Sequence, residues 1–255
     1  MKKHIKTIFL LLLTVAMTLC PVACNGETPL TEKQVWLPYQ MKNGSDGSIT
    51  TYTYDDYGNK IKTTSSDALG NIEATWINEY DENNNILKTS LDTGNGEPFV
   101  QAIFTYDNDG NLIKKQEFTR NLSEVTENIF TFDYDEQNRQ VLRSRNGVVI
   151  ETYSYAEDGS YTVYSEFNPE EYTVYNAEGK IQERHRSSTN KTVYVYNENG
   201  ICTEQITYSN NEVYFKIVNE LDENGNVAKI KQVFPNGIEY VECEYEYKLY
   251  TIKIN

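Results

Sequence analysis

Polar and apolar positions alternate with a period of two along most of this chain, in short runs rich in Thr, Val, Ile, Tyr and Phe. That alternation puts successive side chains on opposite faces of an extended backbone, so each run predicts a half-buried β-strand. Turn signals interrupt the runs every 8 to 14 residues from about residue 50 onward. The pattern predicts an all-β fold: an antiparallel meander of about 17 short strands, built from repeated hairpins and containing no helix.

One turn phrase recurs. Tyr54 opens YDDYGNKIK, Tyr80 opens YDENNNILK, Tyr106 opens YDNDGNLIK and Tyr134 opens YDEQNRQVL. Weaker copies begin at Tyr155, Tyr175, Tyr196 and Leu221, with 20 to 28 residues between successive anchors. The physical logic is local. Asp55, Asp81, Asp107 and Asp135 follow the aromatic residue, where a carboxylate bonds its own backbone and starts a type I turn. Gly58 and Gly110 supply the left-handed conformation that a hairpin with a bulge requires, and Asn84 and Asn138 stand in the equivalent place. Each phrase is therefore a hairpin tip. A solenoid holds its period more closely than this chain does, which favours the meander.

Counting back by two from the anchors pairs Tyr52 with Tyr54, Phe104 with Tyr106, Phe130 and Phe132 with Tyr134, Tyr153 with Tyr155, and Tyr194 with Tyr196. These rings share one face and are expected to form cross-strand ladders that serve as a thin core. Seventeen strands at about 4.8 Å each would extend roughly 80 Å, a width at which twisted sheets curl or close. An open or barrel-like curled sheet is expected. A membrane barrel is not, because Lys114 and Lys115 put a charge on each face of one strand.

The phrases beginning at Tyr54, Tyr80 and Tyr106 resemble the YD repeats of the RHS family, bacterial surface and toxin-delivery proteins whose repeats form long antiparallel sheets spiralling into a shell. The resemblance covers roughly residues 50–234 and fades after Tyr134. This chain is short and has no toxin-like domain after the repeats, so it looks more like small bacterial lipoproteins that carry a few YD-type repeats in a porin-like sheet and have no assigned activity. A weaker similarity to MORN-like repeats rests on YNENG and FPNG.

Composition and charge add the setting. Residues 1–23 combine Lys2, Lys3 and Lys6 with an apolar run from Ile8 to Leu19, which reads as an export signal. Ala23 before Cys24 resembles a lipoprotein cleavage site, making Cys24 the candidate for lipidation. An ordinary cleaved signal with an incidental cysteine is the other reading, since Pro21 stands where that pattern usually has Leu. Residues 24–34 would then be a tether and 35–255 the sheet domain. Without residues 1–23 the chain keeps 20 basic and 38 acidic residues, a net charge of −18, which disfavours nucleic acid. Cys202 and Cys243 are expected three strands apart and too distant to bridge.

Chemistry is sparse. His185 is the one histidine outside the signal and is expected to be a solvated strand residue. A triad or zinc site has no partners for it. Carboxylates are plentiful, but no pair stands out for a glycoside hydrolase, the distant alternative. Asp107, Asp109 and Asn111 resemble the start of a calcium loop but lack its distant Glu, and the turn itself explains them. No cofactor is called for. The expected function is a non-enzymatic interaction or scaffold protein at the cell surface or in the periplasm, meeting a protein or glycan partner and touching the membrane only through a lipid anchor. Carbohydrate binding is the alternative, with Trp36 and Trp76 as candidate stacking residues.

Overall fold

The computed structural model describes residues 31–121 and 124–254. The expected signal segment and Cys24 lie outside the described residues. Among these residues the chain forms eighteen strands and no helix. The first six are β1 (Thr31–Asn43), β2 (Ile49–Tyr54), β3 (Lys60–Ser66), β4 (Ile72–Tyr80), β5 (Ile86–Asp92) and β6 (Phe99–Tyr106). Next come β7 (Leu112–Asn121), β8 (Glu124–Tyr134), β9 (Gln140–Arg145), β10 (Val148–Tyr155), β11 (Tyr161–Ser165) and β12 (Tyr172–Tyr175). The last are β13 (Ile181–His185), β14 (Lys191–Tyr196), β15 (Cys202–Ser209), β16 (Glu212–Leu221), β17 (Val227–Val233) and β18 (Glu239–Ile254).

Every strand pairs antiparallel with the strands before and after it in sequence, from the β2–β3 hairpin to the β16–β17 and β17–β18 hairpins. The ring closes where β1 pairs with β18, from Thr31 opposite Ile254 to Asn43 opposite Cys243. The meander expected from the turns is thus a closed barrel, which removes the exposed edges of an open sheet. Closure is what raises the expected count of about 17 strands to eighteen, because the first strand begins at Thr31 and finds its partner in the last.

The curl has a local source. Seven of the eight repeated phrases are followed by a register shift, as where Thr105 pairs with Lys114 but Tyr106 pairs with Leu112. The extra residue is a β-bulge, which bends the strand and sharpens its twist. Repetition of the bulge at one end of successive hairpins curls the sheet steadily. The copy at Tyr155 has no such shift before Tyr161.

A single closed layer leaves little interior. Ala102 (6% exposed) and Phe130 (7%) are the buried apolar residues among those described, and no large side chain is fully enclosed. Contacts between strands are confined to ring neighbours. Stability therefore rests on the ladder, the turns and lateral contacts between side chains on each face, with no second layer packed against the sheet.

Candidate binding surface

The turn tips use their polar groups internally. In the third copy the Asp107 amide donates to Asn111 O (2.9 Å) and the Gly110 amide donates to Asp107 O (3.2 Å). Asp107 Oδ1 accepts from the amides of Asp109 (3.0 Å) and Asn111 (2.8 Å), and Oδ2 accepts from Asn111 Nδ2 (3.0 Å). Those bonds, led by the Asn111 side chain, hold the Asp107 carboxyl below the usual carboxylate range. The calcium-like spacing is accounted for within the turn. The same set recurs at Asp55–Asn59, Asp67–Asn71, Asp81–Asn85 and Asp222–Asn226, while Arg139 takes the Asn role beside Asp135. Gly110 has a φ of 84°, and Asn84 (65°) and Asn138 (58°) adopt the same left-handed conformation.

The sixth position of the phrase was missed in the sequence, although the signal was there: Asn59, Asn85, Asn111 and Asn226 all follow the Gly or its substitute. The anchor tyrosines carry a second role that spacing alone does not show. Tyr54 Oη donates to Pro38 O (2.7 Å), Tyr80 Oη to Lys60 O (3.1 Å), Tyr106 Oη to Ile86 O (3.0 Å) and Tyr134 Oη to Leu112 O (2.9 Å). Tyr155, Tyr196 and Tyr247 bond Gln140, Ile181 and Val227 in the same way. At Leu221, which has no hydroxyl, Asn219 Nδ2 bonds the corresponding carbonyl of Cys202 (2.9 Å).

This geometry corrects the expected aromatic ladder. The anchors end even-numbered strands, so an odd strand separates them, and their pairing partners are Lys60, Ile86, Leu112 and Gln140. Rings meet across neighbouring strands where an odd strand also opens on an aromatic: Tyr161 lies 5.2 Å from Tyr155 and 4.5 Å from Tyr175 between ring centres.

The other singled-out residues are dispersed. Trp36 is 42% exposed and pairs with Leu249, whereas Trp76 is half-buried between Thr63 and Leu91. With β2 and β3 between their strands, the two tryptophans do not form one platform. Cys202 and Cys243 are free thiols on β15 and β18, and burial pushes both up from their ordinary values. Lys115 pairs across β7 with Phe104 and Phe130 on the tyrosine face, while Lys114 pairs with Thr105 and Thr131 on the other.

His185 is not solvated as expected. Its ring stacks on Tyr172 at 4.2 Å between centres, and Nε2 lies 2.7 Å from Glu183 Oε2. These residues belong to the face opposite the anchors, which is otherwise laced by ion pairs: Lys88 with Glu79 (2.5 Å), Lys191 with Glu183 (3.1 Å), Lys216 with Glu204 (3.2 Å) and Lys229 with Glu244 (2.7 Å). Exposed pairs of this kind add little stability each, and they alternate on this face with exposed apolar residues such as Ile103 and Val195.

A concavity opens beside the anchor face. A cavity of about 610 Å³ at the far ends of β9 to β13 is lined by Arg145, Glu151, Ser165, Phe167, Arg184 and Arg186, among others. Register places Glu151 opposite both Arg143 and Ser165, and Thr173 opposite Val163 and Arg184, so these side chains share the face of Tyr153 and Tyr175. Arg143 Nη1 bonds Glu151 Oε1 at 3.1 Å while its guanidinium lies over Phe130. Burial, with the Glu151 carboxylate close by, pushes the Tyr153 phenol well above its ordinary value.

No protein-family model matches the chain, and no curated protein matches it. Among solved structures it is similar to TcdB2-TccC3 (13% identity, 78% of this chain and 12% of that one, TM-score 0.32). It is also similar to TcdB2-TccC3 without the hypervariable C-terminal region (12% identity, 83% and 14%, TM-score 0.34). A third likeness is to a porin-like protein from Bacteroides uniformis (12% identity, 87% and 98%, TM-score 0.44). The chain spans 12 to 14% of the length of the TcdB2-TccC3 structures that it matches.

Proposed function

We propose that this chain is an exported, non-enzymatic binding barrel of the YD-repeat type, held at a bacterial cell surface or in the periplasm through a lipid on Cys24. The observation that carries the reading is how the repeated residues are spent. Asp107 gives its carboxylate to the turn and Tyr106 gives its hydroxyl to Ile86, so the repeat is committed to holding the scaffold. Recognition is left to the residues that differ between copies.

Charges on both faces and strands as short as β12, with 4 residues, support a barrel bathed in water on both sides. A lipid-spanning strand needs about 9 to 11 residues and one apolar face.

The test pairs a pull-down on intact cells with a glycan array, using the full exported chain. Specific capture of one partner without chemical change is the expected outcome. Turnover of a glycan by the purified chain would overturn the non-enzymatic reading. Palmitate labelling of wild type against Cys24→Ala checks the anchor, and equal labelling sinks it. Saccharide binding is the second reading, favoured by the cavity beside the anchor face, where polar side chains and the exposed Phe167 converge.

A further inference from the structure

The chain has six arginines, and four of them gather at one place. Arg145, Arg184 and Arg186 line the cavity at the ends of β9 to β13, and Arg143 pairs with Glu151 in its wall. The arginine ion pairs among the described residues are Arg139 with Asp135 and Arg143 with Glu151. The three lining arginines are therefore unpaired in a chain whose acids outnumber its bases, 38 to 23. All three are exposed, so solvent screens their mutual repulsion and leaves their donors free to meet an anion.

Glu151 is already neutralised by Arg143, which leaves Glu171 as the remaining acid in the lining against three guanidinium groups. A guanidinium offers a planar fork of donors matched to a carboxylate or a sulfate ester. Ser165 lines the same cavity with a hydroxyl suited to neutral hydroxyl groups, and Phe167, 66% exposed, presents an apolar ring. Ring plus hydroxyl plus cation is the recognition chemistry of a sugar that carries a negative charge. The volume of about 610 Å³ lies within the range of small-ligand sites.

We propose that this cavity binds an acidic saccharide, its carboxylates or sulfates met by Arg145 on one side and by Arg184 and Arg186 on the other, with a ring face resting on Phe167. The inference rests on the saccharide reading of the barrel and names the class of sugar. The anion is what gives the site its selectivity, since an otherwise acidic surface repels such a ligand everywhere else on the chain.

Titration calorimetry on the full exported chain tests it with three probes of equal length: a galacturonic acid oligomer, a sulfated galactose oligomer and a neutral galactose oligomer. At least one acidic oligomer is expected to bind about tenfold more tightly than the neutral one, and more weakly as salt is raised. Comparing the two acidic probes tells carboxylate from sulfate. Arg145→Ala and Arg184→Ala should each weaken acidic binding about tenfold, whereas Lys88→Ala on the opposite face should leave it unchanged. Arg184→Gln, which keeps most of the side-chain bulk, guards against a folding artefact and should behave like Arg184→Ala with an unchanged melting temperature. If the neutral oligomer binds equally well, or the arginine variants bind like wild type, the anion site is wrong while the saccharide reading survives. Binding of no oligomer overturns both.

Discussion

Tyr106 donates its hydroxyl to the backbone carbonyl of Ile86 at 3.0 Å, reaching from the end of β6 to the start of β5. The bond lies beside the bulge at the next turn, where the ladder is locally interrupted by the shift at Tyr106. Tyr80, Tyr134, Tyr155 and Tyr196 likewise tie their hairpins to the start of the preceding strand. Burial pushes these phenols up, Tyr54 to about 12, which keeps them protonated and able to donate at neutral pH.

Removing one such hydroxyl should weaken the barrel without changing its shape. Tyr106→Phe keeps the ring and leaves Ile86 O without its donor, a loss of about 1 kcal/mol by the usual worth of a hydrogen bond. Urea unfolding followed by circular dichroism measures it. An unchanged midpoint would mean that water replaces the hydroxyl at no cost.

The same tyrosines predict an alkaline limit. A phenol whose folded value lies above its unfolded value of 10.0 stabilises the fold fully below pH 10, and that contribution is lost as pH rises through the folded value. Tyrosinate absorbance should therefore rise together with unfolding between pH 10 and about 12. Ionisation of the anchor tyrosines with the barrel still folded would contradict this assignment.

What the sequence revealed follows the range of each interaction. The Asp107 to Gly110 turn is decided within a few residues, so its chemistry was readable from one phrase. The Ile86 carbonyl lies 20 residues before Tyr106 and has no side-chain signature, so the tie was invisible. The expected ladder failed for a related reason: alternation places rings on a face but does not say that another strand lies between them. Closure was half legible, since sheet width argues for curling, but the pairing of Thr31 with Ile254 joins the two ends of the chain. Arg145 and Arg184 belong to strands four apart in order and meet at a cavity because both lie at the same end of the barrel.

The turn carboxylates predict an acid response that a comparison of variants isolates. Hydrogen bonds from Asn71 and Asn111 hold Asp67 and Asp107 below their ordinary value of 3.8. At Asp81 burial works upward, but the bonds from Asn85 outweigh it. A carboxylate with a lowered folded value stabilises the fold above its unfolded value and loses that contribution as pH falls through the folded one. Asn at these positions keeps one acceptor but opposes an amide to the neighbouring amide. Wild type should therefore melt above an Asp67→Asn, Asp107→Asn double variant at pH 6, and the gap should narrow below about pH 4. A gap independent of pH would show that the charge is irrelevant to the turn.

The closing seam has its own weak point at Gly44. Its amide donates to Glu242 O at 2.8 Å, continuing the β1–β18 contact beyond Asn43. A Cβ built on Gly44 would lie 1.9 Å from Val241 O, which is backbone and cannot turn aside as a flexible side chain does. By contrast a Cβ on Gly110 meets nothing within 4 Å, and its φ of 84° is one that Asn tolerates in two other copies. Gly110→Asn should then cost under about 1 kcal/mol, whereas Gly44→Ala must push β18 away from β1. Hydrogen exchange reads the difference: the amides of β1 and β18 should lose protection in Gly44→Ala while those of β6 and β7 keep theirs. Uniform loss around the ring would mean that the seam opens only with the whole barrel, and that closure, once made, is shared by every strand.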